Sequence, residues 1–441
     1  MSPWIAPRDD GDDGRAPVVV AGAGIAGLTL ALALARRGIA VRMYERAGAL
    51  AEIGAGLQLA PNACRALDAL GLGPTLDAVA IEPARLAIRS GRSGAEIAHL
   101  PLDAARRRWG APYRLVRRAA LQDALAAAAR EAGAEIVLGD AVTGFAGSDD
   151  GMAVRLAGGG VVAAPALIGA DGLFSAVRRG LGDSRAPRGS EAIAWRAVLP
   201  PETRPAGIAA AEISLWLGNG GHVVAYPLDR AGSLNVVACL PGAVGGAAPV
   251  PGDGSDLRRL LRSWAPTVQA LAAAAADWTV WPLLDRAPGH FPGRGAVALI
   301  GDAAHPALPH LAQGAALAIE DATMLAAVIA GPLRLATLAT SPVSRGRIDA
   351  GGLGESSPAP AEEWVHAKHG GGGAGNDLAA AFRRFERARN ARVARVQTEA
   401  RSNGRVYSLG PLPARARDLV LGTLGPERLM ARYDWLYGES S

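Results

Sequence analysis

Gly22-Ala23-Gly24-Ile25-Ala26-Gly27 puts glycine at the first, third and sixth positions of a six-residue stretch. At that spacing the first glycine permits a tight turn and the second lets backbone approach a pyrophosphate. The third lets a helix pack closely on a strand. The flanks fit: Pro17–Ala21 is a short β-branched apolar run that reads as a buried strand, and an apolar helical stretch follows through Arg37. A second strand, Ala40–Tyr44, ends at Glu45, 21 residues beyond Gly24. A carboxylate there accepts hydrogen bonds from ribose hydroxyls. Free N–H groups and the positive dipole end at the helix start favour phosphate. This strand–turn–helix–strand unit predicts dinucleotide binding. The same glycine pattern recurs at Gly370–Gly375, but no strand precedes it and it lies in the Gly/Pro/Ser-rich tract Gly331–Asn376, which reads as a long loop or linker. One nucleotide fold is expected, not two.

A second chemical signal follows the apolar strand Ala296–Ile300. Gly301-Asp302-Ala303-Ala304-His305-Pro306 puts the Asp302 carboxylate at the carboxyl edge of a sheet, where ligands gather in such folds. Its alternative is an ordinary turn or N-cap aspartate. Asp171, in Gly169-Ala170-Asp171-Gly172, has the alternative of a simple Asp-Gly turn, and Arg118 that of a solvated arginine at a helix start. His305 reads as backbone-shaping rather than as a base. Arg196, after Trp195, reads as a structural ion-pair arginine ahead of a partner for a substrate carboxylate.

The elements that must position these groups come from 441 residues, 50% hydrophobic and 20% charged, with a net charge of +5. That is about two or three domains of soluble globular chain; it excludes a disordered chain, a disulfide miniprotein and a collagen repeat. The basic residues are arginines except Lys368 and form no stripe interleaved with aromatics, so no nucleic-acid partner is expected. Cys64 and Cys239 lack metal-ligand spacing; they read as small core residues in a reduced, cytoplasmic compartment, with no metal. Residues 1–16 lack an apolar signal region and read as a disordered tail, and Ala-rich runs such as Leu121–Ala129 are too short to span a bilayer. Ala134–Leu138 and Ala164–Ile168 read as further strands of the nucleotide fold. Ala192–Leu199, Ile213–Leu217, His222–Pro227 and Leu234–Cys239 show β-type alternation and predict an inserted antiparallel sheet. Helices are expected over Gln313–Ala330 and Asp377–Arg401.

Three blocks in series resemble the single-component FAD-dependent aromatic hydroxylases of the salicylate and 3-hydroxybenzoate hydroxylase type. They are Gly22–Gly27 with Glu45, the segment Gly169–Arg178, and Gly301–Pro306 continuing through Gln313-Gly314-Ala315 to Glu320-Asp321-Ala322. Glu52–Asn62 and Arg117-Arg118-Ala119-Ala120-Leu121 are similar to further family segments. The likeness runs the length of the chain apart from Gly331–Asn376.

The resemblance implies an α/β fold: a Rossmann-type FAD-binding domain (17–84, 110–190 and 285–330) with an inserted antiparallel β-sheet substrate domain (85–109 and 191–284). A flexible insertion (331–376) and C-terminal helices (377–441) would follow. It implies FAD held by Gly22, Gly24, Ala26, Gly27, Glu45, Arg46, Gly56, Arg118, Asp171, Asp302, Gly314 and Ala315, with NADH or NADPH as a transient co-substrate. In this family the reduced flavin adds O₂ as a C4a-hydroperoxide, and the distal oxygen passes to an electron-rich ring. The protein orients the reactants and excludes water. A phenol reacts faster as phenolate, so an acceptor near its hydroxyl helps. His222 and Tyr226, four apart on one strand and so on one side, and Gln313 are the candidates. The expected partners are a small aromatic substrate and O₂, with no nucleic acid and no membrane, for a monomer or homodimer. A tailoring monooxygenase or epoxidase acting on a larger scaffold, and a flavin-binding protein without turnover, are the alternatives.

Overall fold

Val18–Ala21, buried at every residue, is the middle strand of a five-stranded parallel sheet. The order across it is Val297–Leu299, Leu167–Gly169, Val18–Ala21, Val41–Glu45, Glu135–Leu138. Val18–Ala21, Leu167–Gly169 and Val297–Leu299 are buried at every residue, and a strand covered on both faces needs such a continuous apolar run. The helix Ile25–Ala35, apolar all round, packs in the same core as Gly314–Ile329 and Arg118–Glu131. The computed structural model describes residues 16–50, 55–148, 151–218, 220–330 and 374–438. Residues 1–15, Glu52–Gly54, the glycine run before 374, Lys368 and nearly all of the tract 331–376 lie outside the described residues.

The second body is an eight-stranded sheet. Its order is Val250–Gly252, Trp278–Asp285, Arg188–Leu199, Leu234–Pro241, Gly221–Pro227, Glu212–Gly218, Arg85–Ser90, Glu96–Pro101. The pairing is antiparallel except that Glu212–Gly218 runs parallel to Arg85–Ser90, which corrects the expectation of a purely antiparallel insert. Alternation divides its faces. Val223, Ala225, Val236 and Ala238 pack under the helices Gly254–Leu260 and Pro266–Ala274. Tyr226, Leu215 and Leu217 face the opposite core, which Leu311 and the long helix Ala374–Tyr407 complete.

Ala164–Ile168 is not one strand. Ala164 ends a three-stranded meander (Val142–Ser148, Gly151–Leu156, Val161–Ala164), pairing with Met152, whereas Leu167 pairs with Val19 and Val297 in the parallel sheet. Pro165 between them has no N–H for either ladder. The long helix outruns the predicted Asp377–Arg401 at both ends. Its apolar side joins two cores: Leu378, Ala381, Phe382 and Phe385 enter the nucleotide-fold core, and Val393, Val396 and Ala400 the core against the large sheet. Among the described residues no helix is long and apolar enough to cross a membrane.

Candidate active site

The glycine turn is shaped as its spacing demands. Gly22 has φ +96°, and its N–H donates to Tyr44 O. A Cβ on Gly27 would lie 2.0 Å from Gly22 O, so the helix can approach the turn only without a side chain there. Gly24 is the N-cap of Ile25–Ala35 with no side-chain cap, and a Cβ on it would meet nothing within 4 Å. The space beside Gly24 at the helix start is thus open. Glu45 comes to the turn itself: its carboxylate accepts from Ala23 N at 2.8 Å and Ala47 N at 3.0 Å. Gln122 holds the turn from another side, donating to Ala23 O. Arg46 is exposed beside this group. Gly24→Ala is therefore expected to keep apo stability within about 1 kcal/mol while weakening FAD retention. Gly27→Ala is expected to lose both. Thermal unfolding of apoprotein beside flavin absorbance of purified protein separates the two.

Asp302 follows Gly301, whose φ of +58° lets it sit 3.0 Å (as a built Cβ) from Ala26 Cβ. The Asp302 side chain is open to water yet densely surrounded by protein, so it lines a cleft. Burial raises its carboxyl, against the pull of His305 and Arg118. Two clamps fix its turn. From the Asp-Gly segment, buried Arg178 donates to Ala303 O and Ala304 O at 3.0 and 2.9 Å. From below, the fully buried Asp321 carboxylate accepts from Gly301 N at 2.9 Å and Arg389 Nε at 2.6 Å, and lies 2.5 Å from His305 Nε2. Burial works against ionisation of Asp321, but His305 and Arg389 outweigh it and hold the carboxyl well below its usual range. Asp171 is a helix cap: Oδ2 accepts from Ala176 N and Val177 N. Burial raises its carboxyl.

Gly314 and Ala315 begin the next helix, and Gln313 is its N-cap rather than its first residue. Gln313 is 1% exposed; Oε1 accepts from Asn62 Nδ2 at 3.0 Å, and Nε2 is buried with no partner. Asn62 continues to Glu320, which Arg389 and Arg392 hold. Buried polar atoms are nearly always paired, so the orphaned amide points to an absent acceptor. Among the described residues no carboxylate is hydrogen-bonded to Arg118; burial lowers it, Asp302 pulling it up and Arg196 lowering it further.

On the facing sheet, His222 and Tyr226 share a side, as their spacing predicts. A Cβ on Gly56 would lie 2.9 Å from the Tyr226 ring, so glycine there admits the tyrosine. Burial raises the Tyr226 phenol, against Arg196. His222 is 5% exposed with Nδ1 unpartnered, and burial, aided by His310, pushes its imidazole down to about 3. Arg196 overturns the ion-pair reading: among the described residues no carboxylate pairs with it. Its guanidinium lies over Trp281 at 5.0 Å, within electrostatic reach of Arg118, Tyr226 and Cys239. Sequence reasoning gave no role to Gln122, Asn62, Arg178 and Arg389; Asn62, Arg178 and Asp321 stood inside quoted blocks, but the partners that define their roles come from remote segments.

Neutral buried histidines make stability pH-dependent. Burial also pushes His290 to about 3, with His305 adding to it. Unfolded imidazoles titrate near 6.5, so between about 6.5 and 3 the unfolded state binds protons that the folded state refuses, and stability falls as pH falls. Going from pH 7 to 5 is expected to remove about 2 kcal/mol per histidine, Asp171 and Asp302 offsetting part. A thermal midpoint equal at both pH values would contradict this.

The cleft fits FAD: an open helix N-terminus at Gly24, an acid at the second strand's end, an unpaired arginine and an orphaned amide beside a second helix start. Comparison with known proteins agrees. Residues 15–338 match the family model for the FAD binding domain. The 3-hydroxybenzoate 6-hydroxylase 1 of Aquipseudomonas alcaligenes is 32% identical over 96% of this chain and 98% of its own. The 6-hydroxynicotinate 3-monooxygenase of Bordetella bronchiseptica is 35% identical over 71% of this chain and 82% of its own. The crystal structure of Klebsiella pneumoniae HpxO complexed with FAD and uric acid superposes with a TM-score of 0.74 at 27% identity, covering 94% of this chain and 95% of that one. The chain belongs to the single-component FAD-dependent aromatic hydroxylases.

Proposed function

We propose that this protein uses NADH or NADPH and O₂ to hydroxylate a small aromatic or heteroaromatic acid bearing a ring hydroxyl. The observation that carries the reading is Arg196, a cleft arginine without a carboxylate partner on the face that bears His222 and Tyr226. A guanidinium offers a carboxylate a two-pronged, charge-assisted grip. With the acid held there, neutral His222 accepts a hydrogen bond from the ring hydroxyl and draws the ring toward phenolate. The un-ionised Tyr226 donates one, and Gln313 Nε2 donates from the opposite wall. Leu215, Leu217 and Val237 line the same side and keep water out.

Gly22, Gly24, Ala26, Gly27, Glu45 and Arg46 take the adenosine and pyrophosphate end of FAD. Gly56, Arg118, Asp171, Asp302, Gly314 and Ala315 take the remainder. FAD, when bound, supplies the activation of O₂. In this reading residues 85–109 and 191–284 form the substrate domain and 17–84, 110–190 and 285–330 the FAD-binding domain. The two buried free thiols suit a reduced cytoplasmic compartment, for a monomer or homodimer.

The test is oxidation of NADH and NADPH by FAD-loaded protein, with and without a panel of hydroxybenzoates and hydroxynicotinates. Strong stimulation with hydroxylated product is expected from one acid. Stimulation yielding only H₂O₂ marks a pseudo-substrate, and no stimulation by any member overturns the small-acid reading.

A further inference from the structure

Three donors from separate segments converge on the cleft face of the large sheet. His222 and Cys239 are directly paired across adjacent strands, and His310 reaches them from the loop after Asp302. The His222 and His310 rings are 5.3 Å apart in an edge-to-face arrangement. One imidazole nitrogen of each, the Cys239 sulfur included, lies within 4.8 Å of the others. The fold makes room for this: a Cβ on Gly404 of the long helix would lie 2.7 Å from the His310 ring. Among the described residues, Nδ1 of both histidines is buried without a hydrogen-bond partner and Cys239 is free. Two unpaired imidazole nitrogens side by side next to an unengaged thiol are a costly arrangement for buried polar groups.

We propose that His222, Cys239 and His310 form a site for a thiophilic divalent cation of the zinc class, and that the bound cation blocks the aromatic substrate. Imidazole and thiolate are the donors such cations prefer, and three protein ligands with an open fourth position make a common zinc arrangement. Zinc with Zn–N about 2.0 Å and Zn–S about 2.3 Å needs donors roughly 3.5 Å apart, so these donors, within 4.8 Å of one another, must close further on binding. On binding, the Cys239 S–H bond breaks, the sulfur pair forms the metal bond, and one proton leaves to solvent. Burial pushes the Cys239 thiol up to about 12 against a smaller pull from Arg196, so the thiolate forms only as the metal binds. The second cluster of this kind, His290 with His305 and Asp321, is already knit into the support of the Asp302 turn. Spacing along the chain hides the first site because its ligands come from two strands and a loop.

The inhibitory half of the proposal rests on the substrate ring lying at His222; the metal site itself does not. The experiment titrates FAD-loaded protein with Co²⁺ and reads the thiolate-to-cobalt charge-transfer band in difference spectra, then displaces Co²⁺ with Zn²⁺. One equivalent is expected to bind, with the band lost in Cys239→Ser. His310→Gln is expected to weaken binding by at least an order of magnitude, since even outer-shell losses cost about 10–100-fold. Retained flavin absorbance and thermal midpoint certify folding of each variant. No band at millimolar cobalt, or a band that survives in Cys239→Ser, overturns the site. The hydroxy acid that stimulates turnover is then added, and competition between it and Zn²⁺ supports the inhibitory half. A site confirmed by the band but indifferent to that acid overturns the inhibitory half and moves the ring away from His222.

Discussion

Arg196→Met is expected to lower kcat/KM for the aromatic acid by roughly 30- to 1,000-fold, mostly through KM. Removing one partner of a buried, hydrogen-bonded charge pair costs about 2–4 kcal/mol, and each 1.4 kcal/mol is a factor of ten. The magnitude follows from what Arg196 lacks. Buried Arg114, Arg178 and Arg389 each have a carboxylate within 2.8 Å, whereas Arg196 has Trp281 beneath it and Nε unpartnered. Arg196→Lys keeps the charge but loses the fork and recovers only part of the loss. The discriminating measurement repeats both kinetics with the corresponding phenol or pyridinol lacking the carboxylate. If Arg196 grips the acid, wild type and variant turn the neutral analogue over alike. An equal loss for both compounds would make Arg196 a structural residue.

The second large effect is expected at Asp321. Asp321→Ala removes the shared acceptor of Gly301 N, His305 and Arg389, leaving a guanidinium that is 2% exposed with, among the described residues, Glu320 alone to balance it. Breaking a buried pair in this way costs about 3–5 kcal/mol, and Gly301 N–H loses its partner as well. Denaturant unfolding should show that loss, with a parallel loss of flavin. In the double variant with Arg389→Met the two costs should fall well short of adding, because the stranded charge is gone. A single-variant loss below about 1 kcal/mol would contradict the hub.

How much of this was legible beforehand follows from the range of the interactions. The glycine turn, Glu45 and four strands of the large sheet are local patterns that formed close to where the residues placed them; Arg85–Ser90, Glu96–Pro101, Val250–Gly252 and Trp278–Asp285 were not read as strands. The break at Pro165 was legible too, since proline cannot donate to a ladder, but the apolar run through it masked two strands as one. Arg196 was misread because local sequence carries no information about a missing partner. The Asp321–Arg389 contact spans 68 residues and His222–His310 spans 88, so neither leaves a periodic trace.

The long helix that carries Leu378, Phe382, Phe385, Arg389 and Arg392 has a consequence for the integrity of the chain. Those residues lie beyond residue 373, while Glu320, Asp321 and the apolar cores they enter lie before residue 331 or within the sheets. The covalent link through 331–373 is thus duplicated by buried ion pairs and two apolar seams. A protein cut once in that tract should persist as two fragments that stay associated, and the halves expressed separately should reassemble the flavin cleft by complementation.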